Sequence, residues 1–180
     1  MALTIILGDS LLKRALEKKH MHTNSLIWKV KAGAEAKDAE NMMLDIVREN
    51  PSKRFQVISC LSYNNHRDYK GAINDLKKIK EVRNVTKVLY MKPPLSHRSF
   101  VAFKKNPNSL QYKKQLDSYD ELVSFMENEN FGNDTGNMFK KFIYSRKAEH
   151  FALDFYHFSE KKADSIVDAI EKKQKQGNLF

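Results

Sequence analysis

The sequence predicts an α/β fold in which a parallel sheet is covered by helices on both faces. Short β-branched or apolar runs alternate along the 180-residue chain with charge-rich segments whose apolar residues recur at helical spacing. This alternation is typical of βαβ units, whose buried strands read as nearly continuous hydrophobic runs. A chain of this length can bury a core without disulfides or metal ions. We therefore expect a single domain over residues 1–180.

The strands are predicted from the apolar runs. They lie at residues 2–7, 25–30, 55–61 and 87–91, and a fifth is expected near 141–144. Pro93 and Pro94 end the fourth run, because proline cannot donate a hydrogen bond to a sheet.

The helices are predicted from amphipathic spacing. They are expected at residues 11–19, 36–48, 69–82, 109–125 and 160–174. Asn50 and Pro51 form a natural end for the second helix. The basic section at about 93–140, which carries scattered aromatic residues, is predicted to be an insertion within the one domain.

The charge balance leaves two interpretations open. The chain has 32 Lys and Arg residues against 22 Asp and Glu residues, a net charge of +10. Such an excess favours a polyanionic partner, but it is equally compatible with a solvated, lysine-rich surface. Within the predicted insertion, aromatic and basic side chains could contact nucleic acid, or they could belong to an ordinary lid. The candidate contacts are Lys104, Lys105, Tyr112, Lys113 and Lys114.

The cysteine count and the N-terminal sequence predict a compartment. Cys60 is the only cysteine and has apolar neighbours, so we expect a buried thiol and a reducing environment. The first residues lack a basic region and a cleavage site, and no apolar run is long enough to cross a bilayer. We expect a cytoplasmic or nuclear protein that is not secreted.

The first polar loop follows the first predicted strand and contains Gly8, Asp9 and Ser10. In a parallel α/β sheet, ligands collect at the carboxyl ends of the strands. Ser10 there would begin a helix, where the positive end of the helix dipole favours developing negative charge. The alternative is that Asp9 or Ser10 is only a helix cap.

Other polar residues follow later strands. Asp154 and His157 are three residues apart, so the carboxylate could orient the imidazole for proton transfer from a serine. The Gly33 backbone N–H and the Asn64 amide could both donate to an oxyanion. The alternatives are a surface histidine beside a loop aspartate, and ordinary turn residues at positions 33 and 64.

Taken together, the ordered set Gly8-Asp9-Ser10, Gly33, Asn64 and Asp154-x-x-His157 resembles the SGNH hydrolase superfamily, also called GDSL-type esterases. The match covers about residues 3–170. Its details are similar to the acetylhydrolases that act on platelet-activating factor, to the esterase domain of some LINE-type retroelements, and to the Oskar-type domain of insect germ plasm. The last of these binds RNA and has lost the catalytic residues.

The resemblance implies a three-layer αβα, flavodoxin-like fold with a five-stranded parallel sheet. It implies a serine esterase or acylhydrolase in which Ser10 is the nucleophile, His157 the general base and Asp154 its orienting partner. The oxyanion hole would comprise the N–H groups of Ser10 and Gly33 and the side chain of Asn64. No metal or organic cofactor is implied.

The chain departs from the family at its third block. The family commonly has Gly-x-Asn-Asp there, whereas this chain has Ser62, Tyr63, Asn64 and Asn65. A lost glycine could crowd the oxyanion hole and lower activity. The alternative function is a weak or inactive module of the same fold that binds RNA or single-stranded nucleic acid through its basic surface.

Overall fold

The structure, a computed structural model, describes residues 2–10, 12–13, 26–65, 68–94, 105–106, 108–138 and 159–180. Its strands are β1 (Leu3–Gly8), β2 (Leu26–Val30), β3 (Phe55–Ser59) and β4 (Val85–Tyr90). They form one sheet in the order β2-β1-β3-β4, and every neighbouring pair is parallel. The fifth strand predicted at 141–144 lies outside the described residues.

Residues 11 and 14–19 of the first predicted helix lie outside the described residues, and the other helices follow the strands as predicted. They are α1 (Ala39–Glu49), α2 (Tyr69–Lys77), α3 (Leu110–Asn130) and α4 (Glu160–Lys175), and residues 10, 12 and 13 are also helical. Short 3-10 helices occupy Ala36–Asp38, Tyr63–Asn65, Lys78–Glu81 and Asp134–Asn137. In the described part of the chain, no helix combines the length and the apolar character that a bilayer span requires.

The sheet separates two hydrophobic clusters, because successive side chains of a strand point to opposite faces. On one face, Ile5 and Leu7 of β1 belong to a core with buried residues of α1, α2 and α3. On the other face, Ile6 shares a core with residues of α4 such as Val167 and Ile170. These two cores confirm the three-layer αβα architecture.

Helix α3 is part of the core, although the sequence placed it in an insertion. Tyr119, Leu122 and Met126 of this helix are buried against the sheet side that α2 also covers. The Tyr119 ring meets the Tyr69 ring edge-on at 5.4 Å between centroids, and its hydroxyl donates to the Pro93 carbonyl at 2.7 Å. The extent of the single domain and of its insertion stays a prediction.

The end of α3 is fixed to β4 by one side chain. The Asn130 Oδ1 accepts from the Tyr90 N–H at 2.8 Å, and its Nδ2 donates to the Tyr90 carbonyl at 2.8 Å. A Cβ at Gly136 would lie 2.1 Å from Asn130 Nδ2, so only glycine leaves room for this amide. The carboxamide thus provides the donor and the acceptor that a neighbouring strand would offer.

We predict that Asn130→Ala lowers the free energy of unfolding by about 3 kcal/mol, because it leaves a buried N–H and a buried carbonyl unpaired. Thermal or urea unfolding measures the loss. The control is Asn128→Ala, since Asn128 lies exposed on the same helix. Equal stabilities for the two variants would show that the Asn130 amide contributes nothing.

Candidate active site

The loops that follow β1, β2 and β3 meet at the carboxyl edge of the sheet. In the ladder, Gly8 lies opposite Val30, and Leu7 lies opposite Ser59. The backbone bonds continue past the strand ends, since Lys31 N donates to the Gly8 carbonyl at 3.0 Å. The loops that carry Ser10, Gly33 and Asn64 therefore leave the sheet at about the same height along the strand direction.

Ser10 is the first helical residue after β1. The carbonyl of Asp9 accepts from the N–H groups of Leu12 and Lys13, each at 3.2 Å, which places Asp9 at the N-cap position. Asp9 is fully buried and Ser10 is half-buried. The Asp9 backbone therefore caps the helix, as one of the two interpretations expected. Ser10 lies next to it, at the positive end of the helix.

Gly8 lets the two strand ends come close together. A Cβ on Gly8 would lie 3.0 Å from Val30 Cγ1 and 3.3 Å from Leu12 Cδ1. Those distances are tighter than ordinary van der Waals contact. A larger residue at position 8 would push Ser10 and its helix away from β2.

Asn64 ties the three loops together. Its Nδ2 donates to the Ala34 carbonyl at 2.9 Å and lies 3.4 Å from the Asp9 Oδ2. The third block is therefore bonded both to the loop after β2 and to the residue before Ser10. The sequence places Asn64 at this edge but gives no sign of its acceptors, because both come from distant parts of the chain.

Gly33 lies in the turn after β2. Its φ is +70°, a left-handed conformation that favours glycine, and Ala34 N donates to the Lys31 carbonyl at 3.2 Å across the turn. Gly33 is exposed, and a Cβ there would meet nothing within 4 Å. The turn alone accounts for glycine at this position, so its role as an oxyanion donor stays a prediction.

The two departures from the family motif fit the local structure. The φ of Ser62 is not positive, so its backbone does not require glycine, and its side chain is 1% exposed. The Asn65 Oδ1 accepts from the Ala36 N–H at 2.9 Å. Asparagine thereby supplies an acceptor that an aspartate could also supply, and it does so without a charge.

The electrostatics of this edge reflect burial and local bonding. Burial raises the pKa of the Cys60 thiol, and the nearby Asp9 carboxylate raises it further, so the predicted buried thiol is confirmed. Burial opposes ionisation of Asp38, but bonds from the Glu35 N–H and the Lys31 ammonium outweigh it and hold the Asp38 pKa below its usual value. Among the described residues, no cluster of His, Cys, Asp or Glu side chains could hold a metal ion.

The remaining candidate residues are placed only in part. Asp154, His157 and Lys104 lie outside the described residues. Lys105, Lys113 and Lys114 are exposed, whereas Tyr112 is half-buried and its pKa is raised by that burial. A half-buried ring offers less surface for stacking on a base, and nucleic-acid binding stays a prediction.

A polar groove adjoins the candidate site. It has a volume of about 440 Å³ and opens between the loop after β2, the loop after β3 and the start of α2. We call it the Asn64 groove; its walls are Glu35, Lys37, Asn64, Asn65, Asp68, Gly71, Ala72 and Asp75. No local motif in the sequence indicates this groove, because its walls come from separate segments.

We predict that Ser62→Ala raises the free energy of unfolding by about 1 kcal/mol, since it removes a buried hydroxyl that has no hydrogen-bond partner among the described residues. Thermal unfolding measures the change. Ser165→Ala is the matched control, because it also removes a serine hydroxyl. That hydroxyl is exposed and donates to the Lys162 carbonyl at 2.8 Å. A lower melting temperature for Ser62→Ala would mean that the hydroxyl stabilises the loop.

The chain was compared with known proteins. No family model and no curated protein matches it. Solved structures similar to it include the C-terminal catalytic domain of Streptococcus pneumoniae peptidoglycan O-acetyltransferase A with a methylsulfonyl adduct. That structure has a TM-score of 0.60 at 15% identity, over 97% of this chain and 93% of that one.

Two further structures share the architecture. A GDSL-like lipase from Bacteroides thetaiotaomicron has a TM-score of 0.60 at 11% identity, over 97% of this chain and 87% of its own. The psychrotrophic esterase EstA from Pseudoalteromonas, inhibited by monoethylphosphonate, has a TM-score of 0.54 at 14% identity, over 98% of each chain. The chain therefore has the three-layer αβα fold of the SGNH hydrolases.

Proposed function

We propose that the protein is a serine esterase or acylhydrolase that cleaves a carboxylic ester through an acyl-enzyme. The observation that carries the proposal is the convergence of three loops at the carboxyl edge of the sheet. Ser10 begins a helix there, and Asn64 bonds to the residue before it and to Ala34 beside Gly33. A nucleophile and neutral donors at one edge are the parts that acyl transfer needs.

Ser10 is assigned the attack on the ester carbonyl. Its own N–H belongs to the first turn of a helix, at the positive end of the helix dipole. Such a group favours the negative charge that develops on the carbonyl oxygen in the transition state. The Gly33 N–H and the Asn64 amide are assigned as the other two donors.

Asn64 must exchange a partner to act as a donor. Both acceptors of its Nδ2 described above belong to the protein, one at 2.9 Å and one at 3.4 Å. The 3.4 Å contact to Asp9 is the weaker by its length. In the proposed mechanism this N–H turns to the oxyanion, while the bond to Ala34 keeps the amide in place.

His157 and Asp154 complete the proposed triad. His157 takes the proton of Ser10 and then returns it to the leaving alcohol, and Asp154 orients the imidazole and stabilises its charged form. Water then attacks the acyl-enzyme with the same histidine as base. These two assignments rest on the resemblance of the Asp154-x-x-His157 motif.

The names of the similar structures agree with this chemistry. They describe an O-acetyltransferase, a GDSL-like lipase and an esterase. At 11–15% identity they support the fold, and the proposal for the reaction rests on this chain's own residues. An acetyltransferase and an esterase share the acyl-enzyme step and differ in whether an alcohol or water accepts the acyl group.

We predict that Ser10→Ala abolishes covalent labelling by a fluorophosphonate probe and lowers p-nitrophenyl acetate hydrolysis at least about 10³-fold, because it removes the nucleophile. Gel fluorescence and absorbance measure the two effects. Ser165→Ala, with its exposed serine on α4, is expected to keep both activities. Failure of the folded wild-type protein to label, or labelling of folded Ser10→Ala, would overturn the proposal.

We predict that His157→Gln and Asp154→Asn also lower the turnover number for p-nitrophenyl acetate, and that combining either with Ser10→Ala causes little further loss. Residues that act as one unit show this strong non-additivity. Steady-state kinetics of the single and double variants measure it. Asp164→Asn, on α4, is the control for removing a carboxylate, and independent, multiplying losses would contradict the triad.

A further inference from the structure

We infer that the Asn64 groove seats the alcohol part of the ester, and that this alcohol is a hydrogen-bonding polyol and not a hydrocarbon chain. The inference rests on the proposed esterase function and adds the class of substrate. It follows from the position of the groove, from the chemistry of its walls, and from the order of steps in ester hydrolysis.

The groove begins at the proposed oxyanion donor. Asn64 forms part of its wall, and the same side chain lies 3.4 Å from Asp9, the residue before Ser10. Asn65, the next wall residue, is held by the bond that its Oδ1 accepts from the Ala36 N–H at 2.9 Å. Asn64 therefore belongs both to the wall of the groove and to the group of residues around Ser10.

Most of the side chains in the walls are polar. Six of the eight lining residues have charged or amide side chains, and the other two are Gly71 and Ala72. The volume of about 440 Å³ is that of an ordinary ligand site, although such sites usually have mostly apolar walls. A hydrocarbon chain here would remove water from charged and amide groups, which is costly.

The polar groups are held in place before any ligand binds. Glu35 pairs with Lys37 at 2.9 Å, Asp68 accepts from the Gly71 N–H at 2.8 Å, and Asp75 pairs with Lys78 at 2.8 Å. A carboxylate has about four acceptor sites, so each retains capacity for a hydroxyl donor. Alcohol groups can satisfy these acceptors and also accept from the Lys37 ammonium.

The order of reaction steps assigns the groove to the alcohol and not to the acyl group. The alcohol must depart before water can attack the acyl-enzyme, whereas the acyl group stays attached to Ser10 until the second step. A hydrophilic groove that opens to solvent suits a group that leaves and is replaced by water.

The test compares glycerol 1-acetate with pentyl acetate, which share the acetyl group and differ in the polarity of the alcohol. We expect the wild-type protein to favour glycerol 1-acetate in kcat/KM by roughly tenfold, and Asp75→Leu to lower that preference several-fold. Asp75 suits this change because leucine is a good helix former and the lost Lys78 pair is a surface pair. Asp117→Leu, on the exposed side of α3, is the control that keeps the wild-type preference.

A binding measurement separates this inference from the proposed function. In folded Ser10→Ala protein, glycerol is expected to shift the amide resonances of Gly71 and Ala72 more than pentanol does. Two results from an active, probe-labelled esterase would overturn the groove assignment alone. One is an equal kcat/KM for both acetates, and the other is a preference that Asp75→Leu leaves unchanged. A folded protein that neither labels nor hydrolyses either acetate would overturn the esterase itself.

Discussion

The central position of β1 is the constraint on which the candidate site depends. Its backbone is hydrogen-bonded to β2 on one side and to β3 on the other, so the loops that leave the three strands must share one edge. Gly8 is part of this constraint, because a Cβ at position 8 would lie only 3.0 Å from Val30 Cγ1 on β2. A short loop at the carboxyl end of a central parallel strand can therefore contact the loops of both neighbouring strands.

The strands bring the three loops close together, and two side-chain amides then hold these loops in position. Asn64 donates to the Ala34 carbonyl in the loop after β2. Asn65 accepts from the N–H of Ala36, the first residue of the 3-10 helix that ends this loop. These bonds are within the protein and need no substrate, so the loops are ordered before a ligand arrives. Because the loops are already ordered, the rearrangement proposed for Asn64 is confined to the N–H that faces Asp9. The same two amides form a wall of the adjoining groove.

Much of the fold and part of the site could be predicted from the sequence, because both depend on local signals. Apolar runs and helical stripes identified all four described strands, and the position of Ser10 after a strand followed from Gly8 and Asp9 alone. The end of α3 was missed by five residues, at 125 and not at 130, because its last turn is held by the bond between Asn130 and distant Tyr90; the helix ends where Phe131 takes a left-handed conformation. The groove was missed for the same reason, since its walls meet only in three dimensions.

The Asn130 amide has a consequence for how far the sheet can grow. It occupies the N–H and the carbonyl of Tyr90, the last residue of β4. Those are the groups that another strand would need in order to continue pairing at that level. Any strand beside the outer edge of β4 must therefore end its ladder before Tyr90, which leaves only the amino-terminal part of β4 as a template. The Asn130 side chain, together with the Gly136 carbonyl that accepts from the Lys92 N–H at 3.2 Å, thus sets the limit for sheet extension at this edge.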